Sequence, residues 1–160
     1  MIASRALLGL FAICSTLAIP QRAAAPTGHD VGYPEGYRRW VHVRTGLSRT
    51  GGKEVTGMHH IYANDAAMKG YIAGKFPQGS VIVFDLIGLP TVDGTMNVGT
   101  RSVVDVMQKD SVRFAATGGW GYDEFRGDTR ERTGAISSCA KCHFNRSDHD
   151  YVFSAFTDTL

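Results

Sequence analysis

The sequence predicts an α+β fold, built mainly from antiparallel β-sheet with a few short helices, one of them near the C-terminus. Two observations favour this class. Successive short segments have the composition of strands and are separated by turn residues, and only one segment between them has the pattern of an amphipathic helix. Short connections allow antiparallel pairing, whereas parallel strands need longer crossovers.

The first predicted strand covers Trp40–Thr45, where apolar and polar residues alternate. Because successive side chains of a strand point to opposite faces, Val41 and Val43 should face one side. His42 and Arg44 should face the other side, towards solvent. We therefore expect a half-buried strand.

A second strand is expected at Val55–Tyr62, and a short helix follows it. Asn64 is a typical N-cap residue and Gly74 a typical C-terminal stop, so the helix should lie between them. The apolar side of this helix is predicted to consist of Ala67, Met68, Tyr71 and Ile72.

The most apolar strand is predicted at Ser80–Ile87, directly after the turn sequence Pro77-Gln78-Gly79. Its period of two places Ile82, Phe84 and Leu86 on one wholly apolar side. The opposite side carries Val81, Val83 and Asp85. Two further strands are expected at Arg101–Met107 and near Trp120–Phe125.

The composition is that of an ordinary globular domain, with 160 residues of which 43% are hydrophobic and 20% charged. A disordered or repetitive chain is excluded. The first 25 residues contain two of the 17 basic residues and no acidic one, so the remainder is about neutral. Since a neutral domain offers no electrostatic attraction to nucleic acid, we predict no such partner.

The N-terminus has the layout of a secretory signal peptide. Arg5 precedes the apolar stretch Ala6–Ile19, and Ala23–Ala25 supplies the small residues of a cleavage site. A membrane anchor is the alternative, but Pro20 interrupts the stretch well before the roughly 20 residues that a spanning helix needs. We expect a cleaved leader at residues 1–25, a single domain at residues 26–160, export to the periplasm, and no membrane attachment afterwards.

The main chemical motif is Cys139-Ala140-Lys141-Cys142-His143, the C-x-x-C-H pattern of covalent haem attachment. Residues three apart share one face of a helix, so both thiols can reach the two vinyl groups of one haem. His143 can then bind the iron. The sequence predicts one haem c, joined through Cys139 and Cys142 and ligated by His143, on a helix near the C-terminus.

The cysteine pair has three alternative interpretations. A structural zinc site needs four ligands, and no second cysteine pair follows the leader. A thioredoxin-like pair needs a βαβ setting, which the surrounding sequence lacks. A structural disulfide would leave His143 without a role, although the spacing permits it.

Seven sequence blocks resemble a known family in order and spacing. The chain resembles the cytochrome P-460 family, which includes the cytochromes c′-beta. The blocks are YPEGY (33–37) through Trp40, GMHHIYAN (57–64), FPQGSVIV (76–83), VMQKD (106–110), GGWGY (118–122), CAKCH (139–143) and DYVFS (150–154).

The resemblance implies a largely antiparallel sheet with helices, a homodimer and a five-coordinate haem. Hydroxylamine-oxidising members of the family carry a lysine joined covalently to the haem, whereas c′-beta members lack this link and cap the distal side with phenylalanine. Phe84 matches the position of the lysine, so this chain departs from the enzyme pattern. Asp105 matches an acidic position that assists proton transfer in the enzymes, and it is the candidate proton acceptor.

Other residues could in principle bind the iron. His59 and His60 are adjacent, so a strand would direct only one of them towards a haem pocket. Surface or hydrogen-bonded roles are the more common outcome for such histidines. The candidate thioether ligands Met58, Met68 and Met107 are expected to fill gaps in the core instead.

We therefore predict a gas-binding haem protein that takes nitric oxide or carbon monoxide, because a phenylalanine cap offers no hydrogen-bond donor to a polarised ligand. The alternatives are an oxidoreductase acting on hydroxylamine or nitric oxide, with Asp105 as proton acceptor, and a simple electron carrier with a redox partner protein. An electron carrier would need a strong sixth ligand.

Overall fold

The computed structural model describes residues 31–51, 54–134 and 136–157. The predicted leader, residues 1–25, lies outside the described residues. No helix in the described ranges is long and apolar enough to cross a membrane. The elements are β1 (Val41–Thr50), β2 (Glu54–Ala63), α1 (Asp65–Ala73), β3 (Val81–Gly88), β4 (Thr91–Val92), β5 (Thr95–Met96), β6 (Arg101–Lys109), β7 (Trp120–Arg126) and α2 (Ile136–Phe144).

The centre of the fold is a five-stranded sheet in the order β1-β2-β3-β6-β7, in which every neighbouring pair is antiparallel. The predicted α+β class is confirmed, and so is the helix that carries the cysteine pair. All five predicted strands are present. The small hairpin of β4 and β5 lies in a loop for which no strand was predicted.

Helix α1 begins and ends where its capping residues predict. The Asn64 side chain accepts a hydrogen bond from the Ala67 backbone N–H at 2.9 Å, and Gly74 ends the helix with φ 73°. Gly70 is buried, and a Cβ atom there would lie 2.2 Å from the Phe76 ring. The missing side chain therefore allows Phe76 to pack directly under the helix.

Each face of the sheet carries its own apolar cluster. We call the face covered by α1, α2 and the C-terminal segment the inner face; its buried cluster includes Ile61, Ile82 and Met107. The opposite face packs against the segment that precedes β1, and its buried cluster is Val31, Tyr37, Val83, Val104, Val106, Phe114 and Phe125. Asp85 is buried on this opposite face, where it accepts hydrogen bonds from Tyr37 and Arg101.

The alternation predicted for the first strand is wrong at Arg44. A register shift in β1 places His42 opposite Tyr62 and Arg44 opposite Ile61, so Val43 is an additional residue between two paired ones. Such a β-bulge re-aims the side chains that follow it. Arg44 therefore lies on the inner face, the face opposite to that of His42, and lines a cavity there.

Candidate functional site

A cavity of about 510 Å³ lies between the inner face of the sheet, helix α2 and residues 152–154. This volume is in the range that holds small molecules and cofactors. The structure brings all five predicted site residues to one place, because Phe84, Asp105, Cys139, Cys142 and His143 line this cavity.

One lateral row of paired residues crosses the inner face. Strand pairing sets Arg44 opposite Ile61, Ile61 opposite Phe84, Phe84 opposite Asp105, and Asp105 opposite Glu124. We call this set the cross-strand row. It is cationic at the β1 end, apolar in the middle and acidic at the β7 end.

Helix α2 packs against β7 and carries both thiols. Cys139 and Cys142 are three residues apart, so they lie on one face of the helix, and neither forms a disulfide. Burial raises the pKa of Cys139 to about 11, and the charges of Asp105 and Glu124 add to this shift. The thiols therefore lie at the acidic end of the cross-strand row.

The imidazole of His143 is oriented by one strong hydrogen bond. Its Nδ1 lies 2.6 Å from the Tyr151 carbonyl oxygen. Because a carbonyl can only accept, Nδ1 must carry the proton, and Nε2 keeps its lone pair for a metal. Burial lowers the pKa of His143, which also favours the neutral ring that binds iron.

The Tyr151 carbonyl is held in place by an unusual piece of backbone. Asp150 and Tyr151 have φ values of 48° and 67°, a conformation that residues other than glycine seldom adopt. Three bonds fix Asp150: its side chain accepts from Lys109 Nζ at 2.6 Å and from the Phe76 N–H at 2.8 Å, and its carbonyl accepts from Trp120 Nε1 at 2.9 Å. These contacts position the group that orients His143.

Phe84 occupies the middle of the cross-strand row and is half-buried. Its ring stacks on the imidazole of His59, with the ring centres 4.6 Å apart and the planes at 21°. His59 is fixed in turn by a contact of 3.0 Å between its Nδ1 and the Ser48 hydroxyl. Burial and the charge of Arg44 lower the pKa of His59.

Asp105 and Glu124 form a carboxyl pair beside Phe84. Burial, followed by the charge and the hydrogen bond of Glu124, raises the pKa of Asp105 to about 7. Glu124 also accepts a hydrogen bond from the Thr133 hydroxyl. Oδ1 of Asp105 is buried and has no hydrogen-bond partner among the described residues. The pair therefore favours keeping a proton near neutral pH, and Asp105 lines the cavity.

The other candidate ligands differ in position. His59 and Met107 line the cavity, whereas Met58, His60 and Met68 do not. His60 Nδ1 lies 2.8 Å from the Thr45 hydroxyl. The described part of the chain holds no cluster of three or more His, Cys, Asp or Glu side chains that could bind a metal.

Sequence reasoning missed three contributors to the site: Arg44, Glu124 and the Tyr151 carbonyl. Tyr122 lies with its ring centre 5.0 Å from that of His143, and its buried hydroxyl has no hydrogen-bond partner among the described residues. Glu124 could have been found from the period of two along β7. The bulge before Arg44 leaves no local signal in the sequence.

Comparison with known proteins identifies this architecture. The family model for cytochrome P-460 matches residues 34–154, which include every strand, both helices and the C-x-x-C-H motif. No curated protein sequence matches the chain. The match covers most of the chain and implies a haem cofactor.

Proposed function

Because this chain belongs to the cytochrome P-460 family, we propose that it is a periplasmic mono-haem c-type cytochrome that binds nitric oxide or a similar small uncharged gas, such as carbon monoxide. Cys139 and Cys142 would hold the haem covalently, and His143 would ligate the iron. The haem supplies the coordination site for the gas.

The residues present fit a haem. Two reduced thiols and an imidazole come from one face of α2, and they line a cavity large enough for a cofactor. The hydrogen bond from Nδ1 of His143 to the Tyr151 carbonyl leaves Nε2 as the metal-binding nitrogen. Such an outer partner is typical of metal-bound histidines, because it fixes the tautomer and the orientation of the ring.

The observation that carries the gas-binding proposal is the position of Phe84 in the cross-strand row. The Phe84 ring stacks on His59, and a phenyl ring offers no hydrogen-bond donor. An uncharged, weakly polar gas loses little in such surroundings, whereas a polarised ligand loses the stabilisation that a donor would supply. None of the lysines in the described ranges lines the cavity, so no described lysine could replace the cross-linking lysine of the hydroxylamine-oxidising members.

One set of absorption spectra tests this proposal. We expect high-spin ferrous protein whose spectrum changes on addition of nitric oxide or carbon monoxide. Phe84→Ala should admit water and speed ligand entry, while Phe84→Leu keeps the site apolar and serves as the matched control. Six-coordinate low-spin iron without added ligand would contradict the proposal and would favour the electron carrier.

The carboxyl pair supports a second candidate function, an oxidoreductase acting on hydroxylamine or nitric oxide. Asp105 lies beside Phe84 and its pKa of about 7 suits exchange of protons at neutral pH. Steady hydroxylamine oxidation by the wild type, lost in Asp105→Asn, would establish this function. We expect negligible turnover because the described lysines lie away from the cavity.

We expect two kinds of partner, a second copy of this chain and a redox protein. A homodimer follows from the family resemblance, and sedimentation of the haem-loaded protein measures it directly. A redox partner protein is expected if the iron cycles between oxidation states, because the gas would bind the ferrous form.

A further inference from the structure

Arg44 is a charged residue that the proposed haem site does not yet explain. Among the lysines and arginines of the described ranges, it is the one that lines the cavity. None of the ion pairs formed between described residues involves Arg44. A guanidinium at the rim of a cofactor cavity can bind a carboxylate through two parallel hydrogen bonds.

The β-bulge in β1 lies directly before Arg44 in the chain. Regular alternation after Val43 would turn Arg44 away from the cavity, and the register shift returns it to the inner face, opposite Ile61. Bulges are often found beside functional sites, where they redirect a side chain. The backbone irregularity therefore accounts for the position of the Arg44 charge beside the cavity.

The covalent attachment determines which edge of a haem would face Arg44. The vinyl groups that react with cysteines lie on one edge of the haem, and the two propionates lie on the opposite edge. Cys139 is near Asp105 and Glu124, at the acidic end of the cross-strand row. At about 4.8 Å per strand, the backbone of Arg44 is roughly 14 Å from that of Asp105 and 19 Å from that of Glu124.

Charge favours the same orientation. Propionates directed towards Asp105 and Glu124 would meet like charge, whereas propionates directed towards β1 would meet Arg44. The titratable group beside Arg44 is His59 on β2, whose pKa is already lowered in part by the charge of Arg44. A neutral His59 leaves the guanidinium as the main charge at this end.

We infer that Arg44 binds a haem propionate and so fixes the edge of the haem that lies furthest from the two thiols. This inference rests on the covalent haem of the proposed function and is independent of gas binding. Because the thioethers retain the haem, removal of Arg44 should change the environment of the propionate without emptying the site.

The test measures the protonation of the propionates themselves. Haem made from carboxyl-labelled carbon-13 aminolevulinate carries the label only in its propionate carboxyls, so isotope-edited infrared spectra separate them from Asp, Glu and His. In Arg44→Gln we expect the pKa of one propionate to rise by about 1 to 3 units. Arg44→Lys retains a positive charge, so the propionate pKa should rise less in this variant than in Arg44→Gln. Arg49→Gln removes an exposed arginine from the same strand, and it should leave both propionates unchanged.

Identical propionate titrations in the wild type and Arg44→Gln would overturn the inference, as would an equal shift in Arg49→Gln. A wild-type protein without covalent haem would refute both this inference and the proposed function. Haem-loaded protein that fails to bind nitric oxide would refute gas binding alone, because the infrared measurement needs no gas.

Discussion

Lys109→Met should lower the free energy of unfolding far more than the loss of a typical ion pair. The Lys109 ammonium lies 2.6 Å from Oδ1 of Asp150, and the side chains are only 7% and 13% exposed. The ammonium also donates to the Gly118 carbonyl at 3.2 Å and lies 4.9 Å from the centre of the Trp120 ring. Methionine replaces the apolar stem but none of these contacts.

The size of the loss in unfolding free energy follows from the Asp150 carboxylate, which Lys109→Met leaves without its cation. After the substitution, the Asp150 carboxylate stays buried with one hydrogen bond, from the Phe76 N–H. Removing one partner of a buried ion pair costs about 3 to 5 kcal/mol, because the remaining charge is uncompensated. For a domain of this size, that loss corresponds to a fall in Tm of roughly 10 °C or more.

Urea denaturation of the haem-loaded protein, followed by far-ultraviolet circular dichroism, measures the effect. The matched control is Arg130→Met, which breaks a pair of the same 2.6 Å length with Glu35, where the side chains are 59% and 65% exposed. We expect that control to have a much smaller effect, because water and salt screen an exposed ion pair. Adding Asp150→Asn to Lys109→Met should recover part of the loss, because no charge then remains buried.

Equal losses in Lys109→Met and Arg130→Met would refute this reasoning, because burial would then have no influence on the strength of the pair. Failure of Asp150→Asn to recover any stability would show that the loss comes from packing around Lys109 instead of from an unpaired charge.

Three further outcomes follow from the site. Changing both Cys139 and Cys142 to Ser should give protein whose haem is removed by acid-acetone extraction, and retained haem would contradict covalent attachment. Burial raises the pKa of Asp105 from 3.8 to about 7, so its contribution to stability is present below about pH 4 and is lost as the pH rises through 7. As the pH rises from about 4 to 7, the unfolding free energy of Asp105→Asn should therefore fall less than that of the wild type. Gly118→Ala should destabilise the fold and disturb iron coordination in the haem spectrum, because φ is 70° and a Cβ would lie 2.1 Å from the Tyr151 ring.

The predictions that the structure confirms rest on local patterns. Asn64 and Gly74 bound a helix because each satisfies backbone groups within a few residues of itself. The alternation in β3 separates Ile82 and Phe84 from Asp85, since the period of a strand is two whatever pairs with it. The spacing of the two cysteines likewise places both thiols on one face of α2.

Local sequence patterns were therefore enough to predict the class of fold, the positions of the strands and the chemistry of the C-x-x-C-H motif. The residues that meet across the sheet could not be predicted in this way, because strand register depends on packing between segments that are distant in the chain. The bulge that returns Arg44 to the cavity and the pairing of Asp105 with Glu124 depend on such contacts. The Tyr151 carbonyl that orients His143 is positioned by contacts of Asp150 with Phe76, Lys109 and Trp120. No local pattern contains them, since each is stabilised by a partner on another element.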